Sequence, residues 1–152
     1  LGGIDHRTPL ARSSVDGSVR GALASWEDAD AGTRWIYAPF WGSTEASGGI
    51  QAFVVEERDG RPTLTARWTA RDVASPAAPV TANGLVFALS TGAKTRARLH
   101  ILDGLTGKPL FTSRDQVAGP ASPDTGLAVA NGRVYFSTID NTVYCFGIPT
   151  EH

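Results

Sequence analysis

The stretch Asn83-Gly84-Leu85-Val86-Phe87 is a tight turn followed by an apolar strand, and it decides the fold because the chain repeats it. Asn131-Gly132 precedes Arg133-Val134-Tyr135 in the same way, and Gly32 stands shortly before Trp35-Ile36-Tyr37. Asn-Gly between extended runs indicates a two-residue hairpin, since both central residues of such a turn adopt positive φ. Tyr37, Phe87 and Tyr135 follow one another at intervals of 50 and 48 residues. A period of this length indicates a repeat protein.

A second element recurs behind the first and makes coincidence a poor explanation. Residues 49–54, 98–103 and 142–147 align without a gap, and each is a short apolar run bounded by turn residues, as in a strand covered on both faces. The chain has 17 Gly and 9 Pro, and these residues are typical of many tight turns. We therefore predict an all-β fold, a partial β-propeller of about three four-stranded antiparallel blades, with less than about a tenth of the residues in helix.

The repeats also give the domain boundaries. We predict an inter-blade connection over 1–16, blades over 17–72 and 75–115, and an incomplete blade over 122–149 that lacks its outer strand. The predicted strands are 22–26, 34–40, 49–56, 63–68, 79–82, 85–90, 96–102, 109–113, 127–130, 133–138 and 142–148. Propellers typically have four to eight blades and often close when one terminus adds a strand to the last blade. The chain is therefore expected to be the last part of a larger ring, which associates with the remaining blades or with itself.

Composition narrows the classes of partner. The net charge of -1 comes from 14 basic and 15 acidic residues without a basic cluster, so nucleic acid is not expected as a partner. No apolar stretch is long enough to span a membrane. The single cysteine, Cys145, excludes an internal disulfide framework and a cysteine-rich zinc site.

A family resemblance lies between the third and fourth predicted strands of the second repeat. There the sequence runs Ile101-Leu102-Asp103-Gly104-Leu105-Thr106-Gly107-Lys108-Pro109-Leu110-Phe111. It resembles the Ala-x-Asp-x-x-Thr-Gly-x-x-x-Trp signature of propellers of the pyrroloquinoline quinone (PQQ) type. Asp103, Thr106 and Gly107 match, Phe111 replaces the tryptophan, and Ile101 replaces the alanine. The resemblance implies that an aromatic residue docks each blade on the next one, here Phe111, and Trp68 in the first repeat.

The resemblance leaves two functions open. One is a non-catalytic binding or scaffold module, similar to the PQQ-like repeat scaffold of the outer-membrane assembly machinery, with a protein partner or small ligand. The other is the C-terminal part of a PQQ-dependent quinoprotein oxidoreductase, which would need PQQ with Ca²⁺, an Asp base and, in the alcohol dehydrogenases, adjacent cysteines. One cysteine and no carboxylate cluster with metal-ligand spacing favour the first function, with no catalytic or metal residue in this segment. The resemblance also implies a bacterial protein that is periplasmic or extracellular.

A few residues outside the blade pattern are candidates for binding. Asp5, His6 and Arg7 gather in the segment before the first blade, where propeller loops place binding groups, although a solvated connection is the simpler interpretation. Glu27, Asp28 and Asp30 are read as a polar hairpin tip rather than a cation site. Cys145 aligns with Ala52 and is expected to be buried, His100 is expected to be a strand side chain with a polar tip, and the four tryptophans are assigned to blade packing.

Overall fold

The structure is a computed structural model that describes residues 7–92 and 94–147. Within these residues it contains twelve strands and no helix, which confirms the all-β prediction, and every named pairing is antiparallel. No helix in this part of the chain is available to cross a membrane. Asp5 and His6 lie outside the described residues, as does the end of the third predicted repeat.

The strands form three sheets that follow one another along the chain. The first sheet contains β1 (Ser18–Val19), β2 (Ala24–Asp28), β3 (Thr33–Trp41), β4 (Gly48–Arg58) and β5 (Arg61–Ala70). The second contains β6 (Val80–Ala82), β7 (Leu85–Ser90), β8 (Arg98–Asp103) and β9 (Pro109–Thr112). The third contains β10 (Ala128–Ala130), β11 (Arg133–Ser137) and β12 (Val143–Gly147). Each sheet pairs its strands in chain order, and β1 and β2 both pair with β3 in the first sheet.

Tight turns hold this order because they return the chain directly into the next strand. Asn83 and Gly84 between β6 and β7 have φ of 50° and 74°, and Asn131 and Gly132 between β10 and β11 have 50° and 69°. Asp59-Gly60 joins β4 to β5 with φ of 53° and 70°. Positive φ at both central residues is what a hairpin of this type requires, so the two predicted Asn-Gly turns are confirmed, and Asp59-Gly60 forms a third turn of the same kind.

Two apolar cores lie between the three sheets. The first joins the first sheet to the second and consists of Trp35, Tyr37, Ile50, Ala52, Val54, Val73, Val86, Ala88 and Leu102. The second joins the second sheet to the third and consists of Ala77, Phe87, Leu89, Ala97, Leu99, Val117, Ala121, Val134 and Phe136. Because side chains alternate along a strand, the middle sheet supplies Val86 and Ala88 to one core and Phe87 and Leu89 to the other. The middle sheet is therefore apolar on both faces.

The strand register produces one cross-strand row that recurs in all three sheets. In the first sheet the row is Ala24, Tyr37, Ala52 and Trp68, one residue from each of β2 to β5. In the second it is Val80, Phe87, Ile101 and Phe111. In the third it is Ala128, Tyr135 and Cys145, with no fourth member among the described residues. The repeats aligned in the sequence are thus equivalent in the register of the sheets.

The three sheets also meet through strands at one side of the molecule, namely β2 in the first sheet, β6 in the second and β10 in the third. β2 contacts β6, and β6 contacts β10. The hydroxyl of Thr81 in β6 donates a hydrogen bond to the main-chain oxygen of Ser25 in β2, at 2.9 Å. The sheets therefore approach one another along one common edge.

Candidate functional site

The turn between β8 and β9 receives an aromatic side chain from the neighbouring sheet. Trp68, on β5 of the first sheet, donates a hydrogen bond from Nε1 to the main-chain oxygen of Gly104, at 3.0 Å. The hydroxyl of Tyr37 donates to the same oxygen at 3.1 Å. Burial raises the pKa of Tyr37 well above its usual value, with a smaller contribution from Asp103, so its hydroxyl remains a donor at neutral pH. One carbonyl thus joins two aromatic residues of the first sheet to the second.

Gly107 lets the Trp68 ring lie directly against the backbone of this turn. Its φ is 71°, which glycine adopts without steric cost. A Cβ atom at this position would lie 2.5 Å from Cε3 and 2.6 Å from Cδ2 of Trp68. The glycine is therefore needed both for the backbone conformation and for the close approach of the ring.

The side chain of Asp103 holds the turn in shape. Its Oδ1 accepts hydrogen bonds from the amide of Leu105 at 3.1 Å, and from the amide and hydroxyl of Thr106, each at 2.8 Å. The amide of Gly107 donates to the main-chain oxygen of Asp103 at 2.8 Å. The hydroxyl of Thr106 is the main cause that lowers the pKa of Asp103, because it stabilises the carboxylate. The structure thus brings Asp103, Thr106, Gly107 and Trp68 together at one contact between sheets.

Phe111 is positioned differently from Trp68. Its ring centroid lies 6.1 Å from that of Phe146 in the third sheet, at an interplanar angle of 59°. The residue is 38% exposed, so it contacts the next sheet without being enclosed by it. Trp68 is covered by the turn that follows β8, the third strand of the second sheet. The equivalent turn for Phe111 would follow Gly147, where the described residues end.

The prediction that Cys145 is buried is wrong, because the face of the third sheet that carries it is uncovered. Ala52, its equivalent in the first sheet, is fully buried under the second sheet, whereas Cys145 is exposed. Val143 on the same face is 72% exposed. The opposite face of β12 packs Tyr144 and Phe146 against the second core, so the prediction of a strand covered on both faces is wrong for the described part of this sheet. Among the described residues no further sheet covers Tyr135 and Cys145.

The outer face of the first sheet is not bare in this way. Phe40 and Phe53 on that face are 2% and 4% exposed. The amide of Asp16 donates to Oε1 of Gln51 at 2.9 Å, and Gly17 lies against the ring of Phe40. The segment before β1 thus covers part of this face, and the two ends of the stack of sheets differ.

Sequence analysis missed a buried polar pair in the second sheet. Oγ of Ser90 lies 2.9 Å from Nε2 of His100, and the ring tautomer sets which atom donates. Burial lowers the pKa of His100 to about 4, with a further contribution from Arg98, so the ring is neutral at pH 7. The pair was not readable from sequence because the register of β7 and β8 brings the two residues to neighbouring strands.

Ser90 also lines a cleft of about 560 Å³ between the first two sheets. The loop between β3 and β4 contributes Glu45, and the connection after β5 contributes Asp72. The loop between β7 and β8 contributes Arg96, and the start of β8 contributes Arg98. Charged side chains of both signs therefore line this cleft.

The remaining candidate residues do not converge on a site within the described part of the chain. Arg7 is exposed. At the tip between β2 and β3, Oδ1 of Asp28 accepts from the amide of Asp30 at 3.2 Å, and Nη2 of Arg34 donates to Glu27 at 2.9 Å. This agrees with a polar hairpin tip. Among residues 7–92 and 94–147, no group of three or more His, Cys, Asp and Glu side chains is arranged to hold a metal ion.

Comparisons with known proteins add little. No family model matches the chain, and no curated protein matches it. One solved structure, that of the computationally designed Ika4 protein, aligns with 93% of this chain and 99% of that one, at 14% identity and a TM-score of 0.41. At that level the likeness gives no information about fold or function.

Proposed function

We propose that this chain is part of a β-propeller of the PQQ-like repeat type and acts as a non-catalytic binding or scaffold module. One observation carries the proposal. The residues that resemble the family signature, Asp103, Thr106 and Gly107, form the turn on which Trp68 of the preceding sheet docks. The residues that match the signature in the sequence are therefore the same residues on which the docking contact depends.

The arrangement of the sheets supports the blade interpretation. Three successive antiparallel sheets pack face to face through two cores. Their strands β2, β6 and β10 meet along one edge. Blades arranged around a central channel approach one another most closely at their inner strands. β2, β6 and β10 are the inner strands on this interpretation.

The open face of the third sheet supports a binding role. Tyr135 and Cys145 occupy row positions whose counterparts in the first sheet, Tyr37 and Ala52, are fully buried under the second sheet. A surface with this pattern suits a further sheet, from the remaining blades of a longer chain or from a second copy. By the family resemblance, the module works in the periplasm or outside the cell.

The test combines self-association with quinone binding. We expect analytical ultracentrifugation to detect association that increases with concentration, and we expect the thiol of Cys145 to react more slowly as association proceeds. A chain that stays monomeric, with Cys145 equally reactive at every concentration, would contradict docking through this face. Titration with PQQ and Ca²⁺ should give no saturable binding. Stoichiometric binding with reduction of a dye by an alcohol or sugar would overturn the non-catalytic proposal and favour the quinoprotein oxidoreductase.

A further inference from the structure

The cleft between the first two sheets is lined by carboxylates and arginines that come from different parts of the fold. Glu45 lies in the loop between β3 and β4, and Asp72 lies in the connection after β5. Arg96 lies in the loop between β7 and β8, and Arg98 lies at the start of β8. Asp115, which follows β9, is a third carboxylate. The first sheet and the connection after it thus supply negative charge only, whereas both arginines come from the second sheet and its loop.

Most of these charges have no partner of opposite sign. Nη2 of Arg98 lies 4.0 Å from Oδ1 of Asp115, and both side chains are exposed, so this pair is weak. Glu45, Asp72 and Arg96 form no ion pair with any residue that the structure describes. Opposite charges that line one cleft without meeting leave a place for a ligand that carries both signs. The cleft volume of about 560 Å³ is in the range of small-molecule sites.

A buried hydrogen-bond network fixes the two sheets to each other at this cleft. Oγ of Ser75 donates to the main-chain oxygen of Glu45 at 2.8 Å, and the main-chain oxygen of Ser75 accepts from the hydroxyl of Thr91. The amide of Thr91 donates to the main-chain oxygen of Ala74 at 3.3 Å. Ser75 has a φ of 41°, a strained conformation that persists only where the surrounding structure holds it. The cleft is therefore formed before a ligand binds.

The histidine next to the cleft does not neutralise its carboxylates. Ser90 lines the cleft, and Nε2 of His100 lies 2.9 Å from its hydroxyl oxygen. Burial is the main cause that lowers the pKa of His100, Arg98 lowers it further, and Asp72 raises it. The ring is neutral at pH 7, so the pair offers hydrogen-bonding groups without charge. The positive charge that Glu45 and Asp72 lack has to come from a ligand.

We propose that this cleft binds a small zwitterion, a molecule with an ammonium and a carboxylate group joined by a short apolar spacer. The ammonium end contacts Glu45 and Asp72, and the carboxylate end contacts Arg96. Arginine suits this role because its planar guanidinium donates two parallel hydrogen bonds to a carboxylate. The spacer lies against Ala46 and Ala74, which also line the cleft. This inference rests on the proposed binding function and names the chemical class of the small ligand.

The test titrates the full chain with zwitterions of increasing length and follows its amide resonances by two-dimensional NMR. The series is glycine, β-alanine, γ-aminobutyrate, δ-aminovalerate and ε-aminocaproate. We expect saturable shifts at the amides of Ala74 and Thr95, with a dissociation constant in the millimolar range for the best probe. Because the network fixes the cleft, affinity should reach a maximum at one length.

Single-charge controls show whether both ends of the probe are recognised. The fatty acid and the amine with the same chain length as the best zwitterion should each bind at least about threefold more weakly, since one charged contact is lost. Glycylglycine separates its charges by as many bonds as δ-aminovalerate does. The tighter binder of these two identifies the source of the zwitterion as a short peptide or a free ω-amino acid, and either result supports the proposal.

Three variants assign the two ends of the probe to the two sets of charges. Arg96→Gln should weaken the zwitterion about three- to tenfold and leave the shifts caused by the amine unchanged. The double variant Glu45→Gln with Asp72→Asn should weaken the zwitterion and the amine but not the fatty acid. Arg61→Gln is the matched control, because Arg61 is exposed at the start of β5 and does not line the cleft. Thermal melts should show that all the variants are folded.

The proposal is overturned if no probe gives saturable shifts at tens of millimolar, or if zwitterions and single-charge controls bind equally. Equal affinity along the whole series would overturn it too, and so would equal effects of Arg96→Gln and Arg61→Gln. Shifts confined to residues outside the cleft would place the ligand elsewhere and contradict it. None of these outcomes depends on self-association or on quinone titration. A failure of zwitterion binding is therefore distinguishable from a failure of the proposed function.

Discussion

Gly107→Ala tests whether the docking of Trp68 stabilises the contact between the first two sheets. The chain offers a matched control at Gly60, in the turn between β4 and β5. The two glycines have nearly the same φ, 71° and 70°. A Cβ atom at Gly107 would overlap the Trp68 ring, whereas at Gly60 it would meet nothing within 4 Å. The difference between the two substitutions therefore isolates the ring contact from backbone strain.

The expected magnitudes follow from these two contributions. A left-handed backbone conformation costs a residue with a Cβ atom about 1 to 2 kcal/mol, and both variants carry this cost. Displacing a packed ring from its place adds about 1 to 3 kcal/mol at Gly107 alone. We expect Gly60→Ala to lower the free energy of unfolding by about 1 to 2 kcal/mol and Gly107→Ala to lower it by about 2 to 5 kcal/mol.

Urea unfolding followed by tryptophan fluorescence and circular dichroism measures both changes. A double-mutant cycle completes the test, because in a Trp68→Ala background the Cβ at Gly107 has no ring to displace. There, Gly107→Ala should cost no more than Gly60→Ala. Equal effects of the two glycine substitutions in the unmodified chain would refute the docking argument, and so would a Gly107→Ala effect that persists undiminished without Trp68.

Three further predictions concern the second and third sheets. Because the pKa of His100 is about 4 in the fold and 6.5 in its absence, the unfolded chain takes up a proton that the folded chain does not. The free energy of unfolding therefore keeps its full value above about pH 6.5 and falls by about 3 kcal/mol as the pH drops to 4. His100→Gln should flatten urea midpoints measured over this range. Cys145 should react with a thiol reagent in the folded monomer, and Cys145→Ala should change stability by less than about 0.5 kcal/mol; protection of the thiol at high dilution would contradict its exposure. Phe111→Ala should cost about 1 to 2 kcal/mol, below the 3 to 5 kcal/mol of a fully buried phenylalanine, whereas Lys108→Ala should stay within about 0.5 kcal/mol. Equal, small effects of these last two changes would mean that the Phe111 contact does not stabilise the sheets.

The positions of the strands were largely predictable because turn chemistry is local. The prediction of a strand over 85–90 matches β7 (Leu85–Ser90), since Asn83-Gly84 fixes where the hairpin turns. The prediction of a strand over 22–26 lies two residues too early for β2 (Ala24–Asp28), where the following turn has no Asn-Gly or Asp-Gly pair. The short β1 had no signal of its own, because its two residues form a strand only by pairing with β3.

It was less predictable which side chains are buried and which groups they contact, because both depend on distant parts of the chain. The apolar run over 142–147 predicts a strand covered on both faces, but an apolar run by itself cannot indicate whether another sheet covers the face that carries Val143 and Cys145. The prediction of His100 as a strand residue with a polar tip left open which group that tip meets. Its partner Ser90 is set by the pairing of β7 with β8. The family resemblance implies Trp68 as a docking aromatic, although its contact with Gly104 spans 36 residues of the sequence.

The two apolar faces of the middle sheet determine how the molecule opens. Its central strands β7 and β8 are covered on both faces, so their main-chain amides can exchange with solvent only when a neighbouring sheet has separated. Among the residues that the structure describes, the third sheet is held by one core and has three strands, so it can separate while the first core stays intact. Hydrogen exchange should therefore be fastest in β10 to β12. It should be slower in β7 and β8, because their exposure also requires the free energy needed to break the core between the first two sheets. In a stack of this kind, each sheet is stabilised by its contacts with the sheets next to it. A ligand bound to the third sheet would therefore slow hydrogen exchange as far away as the first sheet.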